Sequence, residues 1–76
     1  MFPLSFLKAG EDGMVARIGG DTEAKQHLAD LGFVPGAVIH VVSTPGNGNM
    51  IISLKDSRLA LTSQMAEKIT VAMDRK

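Results

Sequence analysis

The chain has 76 residues, enough for one domain and one core. It is 45% hydrophobic and 21% charged, which excludes the disordered, collagen-like and coiled-coil classes, and the absence of cysteine removes disulfides and thiolate zinc sites as reinforcement. Eight Lys and Arg balance eight Asp and Glu, and there is neither Trp nor Tyr, so the chain lacks both the basic excess and the stacking platforms that nucleic acid demands.

In chain order, the start Met1-Phe2-Pro3-Leu4-Ser5 carries no cationic region and no long apolar run. No apolar stretch approaches the roughly 20 residues that span a bilayer, and no polybasic run points to a membrane surface. A cytoplasmic protein without membrane insertion is expected, and the lack of cysteine fits a reducing compartment. Ser5 is placed to cap a single turn over residues 6–9, closed by Gly10. Residues 14–18 alternate weakly and end at Gly19-Gly20, the grammar of a strand with a tight exit.

One helix follows. Asp21 or Thr22 is its N-cap, Glu23 sits at the positive end of its dipole, and Ala24, Leu28 and Leu31 recur at i, i+4 and i+7 as a core-facing stripe. Gly32 stands at the C′ position and Pro35-Gly36 forbids continuation. From residue 37 the period becomes two, with Ile39, Val41 and Ser43 on one strand face and Val38, His40 and Val42 on the other. The turn cluster at residues 44–49 leads into a second strand at residues 50–54, making a hairpin. Lys55-Asp56-Ser57 turns the chain into a third strand at residues 58–62. Ser63 then caps a brief turn, and Ile69, Val71 and Met73 alternate in a last strand.

The expected architecture is mainly β: a small, partly open barrel of about five strands, with one inserted short helix and short helical turns, forming a single domain over residues 1–76. Leu28, Leu31, Ile39, Val41, Ile52, Leu59, Leu61, Ile69 and Val71 are the expected core, with Met50, Met65 and Met73 as filler.

The succession of Leu28-Ala29-Asp30-Leu31-Gly32-Phe33-Val34-Pro35-Gly36, then Leu59-Ala60-Leu61, then Ala66-Glu67-Lys68-Ile69-Thr70-Val71 resembles the FeoA family. The likeness covers nearly the whole chain, and it is carried by the order and spacing of the three segments together. It implies an SH3-like barrel and a small cytosolic accessory protein of bacterial ferrous iron transport, whose partner is the cytosolic G-protein domain of the transporter. The same module ends metal-dependent repressors of the diphtheria-toxin-repressor type, so a metal-responsive regulatory module is the alternative. Two departures bear on the partner-facing surface and leave the fold expectation untouched. His27 stands where many members carry arginine, and residues 45–49 lack the acid and second proline of the Pro-x-Gly-Asp-Pro hairpin.

Glu23, His27 and Asp30, at i, i+4 and i+7, share one strip of the helix, and such a trio is a weak candidate for a divalent cation. A solvated charged face, with His27 favoured near the helix C-terminus, explains the same residues more simply, so no metal site and no cofactor is expected. His40 reads as an outward-facing strand residue. The glycines near Pro45 have no Lys-Ser/Thr after them and no helix to open, so a phosphate loop is excluded. Two distant histidines, and serines confined to caps and turns, do not assemble a nucleophile, a base and an orienter, so an enzyme is not expected. The partner-binding surface is expected at the helix-stop loop and the long hairpin, through Phe33, Val34, Pro45 and Asn47. On that reading Phe33→Ala leaves the thermal midpoint nearly unchanged while weakening the complex.

Overall fold

The computed structural model describes residues 1–46 and 48–73. Strand β1 (Phe2–Pro3) leads into a 3-10 turn (Leu4–Phe6), followed by β2 (Asp12–Ile18), α1 (Thr22–Asp30) and β3 (Val38–Ser43). The hairpin β4 (Met50–Leu54) and β5 (Ser57–Leu61) comes next, then α2 (Ser63–Lys68) and β6 (Ile69–Met73). All six described strands form one antiparallel sheet in the order β1-β6-β2-β3-β4-β5. The sheet is not closed, as expected, but it has a sixth strand. Phe2 lies opposite Val71 and Pro3 opposite Thr70, a pairing too short to leave any alternation in the sequence.

Local chemistry accounts for the elements. The Asp21 carboxylate accepts from the Ala24 backbone N–H at 2.8 Å and starts α1, satisfying one of the free donors of a helix N-terminus. Lys55 and Asp56 both take positive φ, 49° and 66°, which makes the two-residue β4–β5 turn type I′, the turn whose twist matches the flanking strands. Register shifts place Ala16 in β2 and Val42 in β3 as extra residues; such bulges increase local twist and help a short sheet curl. Helix α2 packs mainly against the 3-10 turn and also touches β1, β5 and β6.

The inner face collects Leu4, Leu7, Val15, Leu28, Phe33, Ile39, Val41, Met50, Ile52, Leu54, Leu61, Ala66, Ile69 and Val71 into one cluster. No buried side-chain nitrogen or oxygen among the described residues lacks a hydrogen-bond partner, as a core this small requires.

Several expected details are corrected. The first turn begins at Leu4, with Pro3 rather than Ser5 as its cap residue; proline's fixed φ suits that position and no side-chain bond is made there. Thr62, not Ser63, caps α2, its hydroxyl accepting from the Met65 N–H at 3.2 Å, and this ends β5 at Leu61. Leu31 is 37% exposed, because it lies just past the last helical residue and the chain turns there to bring another side chain beneath α1. Met73 is 44% exposed at the last residue of β6, whereas Met50 is buried. Met65 and the edge-strand Leu59 are half-buried against the core.

Candidate functional site

The helix-stop loop is fixed by its hydrogen bonds. Leu31 is the C-cap of α1, and Gly32 follows at φ 107°, a left-handed conformation that side-chain-bearing residues resist. The Gly32 N–H donates to the Ala29 carbonyl at 3.0 Å and the Phe33 N–H to the Leu28 carbonyl at 3.0 Å. This is the paired bonding of a Schellman motif, whose usual companion is an apolar contact between the residues here occupied by Phe33 and Leu28. Both side chains are buried in the one core cluster. The expectation that Phe33 lies on the surface is therefore corrected: its exposure is 0%, and the ring that the cap turns inward is part of the core. Val34 points the other way and is 41% exposed.

The long hairpin contributes Pro45, which is exposed; Asn47 lies outside the described residues. On the far side of this loop the Asn49 side-chain oxygen accepts from the Ser63 N–H at 3.3 Å. A side chain at Gly48 would meet the Ser63 Cβ at 2.9 Å. The loop is thus seated against the start of α2. A side chain at Gly32, in contrast, would meet Leu54 at 3.1 Å. The two loops therefore lie at opposite ends of β4, Asn49 preceding its first residue and Gly32 touching its last. They frame the β4–β5 hairpin and do not merge into one patch.

The helical trio is divided by the structure. Glu23 and His27 face an open groove of about 480 Å³ between α1 and α2, with Ala24, Leu28 and Met65 in it and Lys68 on its far side. Asp30 does not line that groove and accepts from the Gln26 Nε2 at 2.9 Å. Among the described residues no group of three or more His, Asp or Glu side chains is arranged to hold a metal ion.

One polar pairing had no signal in the sequence. His40 is exposed, as expected for an outward strand residue, and its Nδ1 is hydrogen-bonded to the Asp12 carboxylate. Asp12 and His40 are register partners on β2 and β3, and Ser53 stands opposite His40 on β4. The row has the order acid, imidazole, hydroxyl, but no hydrogen bond among those described joins His40 to Ser53. It lies on an outer sheet face, where the His40 and Asp12 side chains are about half exposed.

The model of the FeoA domain family matches residues 2–73. The chain belongs to the FeoA family. It is 38% identical, over 93% of its own length and 85% of the relative's, to a protein of Methanocaldococcus jannaschii named Fe(2+) transport protein A. A crystal structure of a FeoA described as an iron uptake regulatory protein superposes with a TM-score of 0.84 at 35% identity, covering 93% of both chains. A zinc-complexed FeoA of Stenotrophomonas maltophilia, described as an SH3 domain protein, aligns at 22% identity over 95% of this chain and 91% of its own, with a TM-score of 0.81. That likeness gives the fold, which is SH3-like. The fold recurs in a manganese-dependent transcriptional repressor at 23% identity and a TM-score of 0.84, where 93% of this chain matches 40% of the repressor.

Proposed function

We propose that this FeoA-family protein is a non-catalytic, cytoplasmic accessory protein of ferrous iron uptake. It acts as a single domain over residues 1–76 by binding the cytosolic G-protein domain of a ferrous iron membrane transporter. The observation that carries this reading is the match of the family model across residues 2–73, with the Fe(2+) transport name of the 38% identical relative beside it. No described helix is long and apolar enough to cross a membrane, which fits a protein that reaches its transporter by docking. Val34 and Pro45 supply the outward groups of the contact surface, and Phe33 supports the first of them from below.

The test is calorimetry between this protein and the transporter's G-protein domain from the same genome, paired with iron uptake in a deletion strain. Saturable binding and reduced uptake are expected; absence of binding together with full uptake refutes the reading. The second reading, a regulatory module, is favoured by the superposition on the manganese-dependent repressor. It predicts instead that deletion changes transcript levels of metal-responsive genes while transport by the expressed transporter is unaltered.

A further inference from the structure

The two edges of the sheet are built differently. At one end β1 has two residues, one of them Pro3, and a short strand with proline is a blunted edge. At the other end β5 pairs with β4 over five residues without a bulge, from Leu54 opposite Ser57 to Met50 opposite Leu61, and it contains no proline.

The turn decides which backbone groups of β5 are free. In a two-residue type I′ hairpin the residues flanking the turn exchange both hydrogen bonds, and bonded and non-bonded pairs then alternate along the ladder. Ser57, Leu59 and Leu61 accordingly direct their N–H and C=O groups to β4, while Arg58 and Ala60 direct theirs away from the sheet. Both residues are exposed, and neither backbone takes part in any turn, loop or cap hydrogen bond described. Two donors and two acceptors are left in the arrangement that an added antiparallel strand satisfies.

Charge selects the occupant. Arg58 projects to the outer face, since its neighbour Leu59 is the half-buried inward residue. Among the described residues the one ion pair joins Asp12 and His40, so Arg58 has no carboxylate partner there. A second copy pairing through the same free groups would centre on Leu59 and set each Arg58 opposite the other copy's Ala60. That places the two Arg58 residues on the diagonal of the pair, about 7–8 Å apart and within reach of long side chains, so two like charges share one face with no acid between them. A strand with an acidic residue opposite Arg58 turns the same geometry from repulsion to attraction, at the separation of about 4.5–5.5 Å for directly opposed residues.

We propose that the free edge of β5 takes up an extended, acidic segment of the partner protein as a seventh strand. The segment is antiparallel to β5, with Asp or Glu opposite Arg58 and an apolar residue opposite Leu59. This rests on the partner-binding reading above and says where and how the contact is made. The added strand runs between the helix-stop loop and the long hairpin, which frame the two ends of the β4–β5 hairpin.

The experiment is amide hydrogen exchange by NMR on this protein, free and in complex with the transporter's G-protein domain. Exchange at Arg58 and Ala60 is expected to slow by at least about tenfold on binding, with Ser57, Leu59 and Leu61 little changed because their ladder bonds already exist. Ala60→Pro removes one outward N–H without touching a ladder bond, and Arg58→Glu reverses the charge. Each is expected to weaken the complex at least about tenfold while the amide fingerprint of the free protein is retained. A complex in which the Arg58 and Ala60 amides exchange as fast as in the free protein overturns the edge inference and leaves the partner reading standing. Failure to form any complex overturns both. Protection of the two amides in a concentrated solution of this protein alone identifies a second copy as the occupant and refutes the acidic segment. Should Ala60→Pro fail to fold, the exchange data on the unmodified chain decide the matter.

Discussion

Phe33→Ala separates a structural from a recognition role for the residue that the cap turns inward. The ring is fully buried with Leu4, Leu28, Ile39, Ile52 and Ile69 in one cluster, so truncation opens a cavity that the rigid strands around it cannot fill. Buried Phe→Ala changes cost about 3–5 kcal/mol, and a core of this size supplies only about 3–5 kcal/mol in all. For a domain of this length each kcal/mol shifts the thermal midpoint by about 4–8 °C, so the expected loss is roughly 12–40 °C. Circular dichroism melts, with urea titration at 25 °C, measure it. The matched control is Val34→Ala, the next residue along but 41% exposed, where a change within about 0.5 kcal/mol is expected. If Phe33→Ala melts within about 5 °C of the unmodified protein, the ring is not a core element and the Schellman argument fails.

Gly13→Ala is expected to destabilise by about 1–3 kcal/mol, because the added carbon would lie 2.9 Å from Leu7 Cδ1 and 3.3 Å from Val71 Cβ; unchanged urea unfolding would contradict this. Replacing Lys55 and Asp56 by Asn-Gly relieves two side-chain-bearing residues of left-handed backbone. The urea midpoint should rise by an amount worth about 1 kcal/mol or more, and a fall would show that the turn is not type I′. Titration with Zn(II) or Fe(II) is expected to show weak binding or none, since Glu23 and His27 face the groove while Asp30 is bonded to Gln26. Tight stoichiometric uptake abolished by His27→Ala would overturn that.

What was legible in the sequence is what local chemistry writes there. Asp21 and Gly32 bracket α1 by their capping requirements, and the alternation of Ile39 with Val41 and of Leu59 with Leu61 marks strands directly. The inward turn of Phe33 also had its signal, an aromatic residue following a C′ glycine five positions after Leu28, but the same spacing suits an exposed loop anchor. Strand neighbours left no such trace. Asp12 and His40 meet only because β2 and β3 pair across the intervening α1, and nothing in either segment names the other. The bulges at Ala16 and Val42 show only once each strand is set against its neighbour. Likewise, the separation of the two loops to opposite ends of β4 is a property of the hairpin's direction, invisible to a reading that ranks each loop by its own residues.

The position of β6 between β1 and β2 sets the order in which this chain can be completed. Val71 must stand opposite both Phe2 and Val15, so the first and second strands share no direct ladder and are joined only through the last. During synthesis, at about 5–20 residues per second, Phe2 and Val15 remain without their strand partner until residue 71 has left the ribosome. The run β2–β3–β4–β5 can pair as it emerges, while Phe2 and the edge of β2 that faces β6 wait several seconds uncovered. Fusions or truncations that delay or remove β6 should therefore expose the nascent N-terminal segment to chaperones and proteases, even though the residues altered lie at the opposite end of the chain.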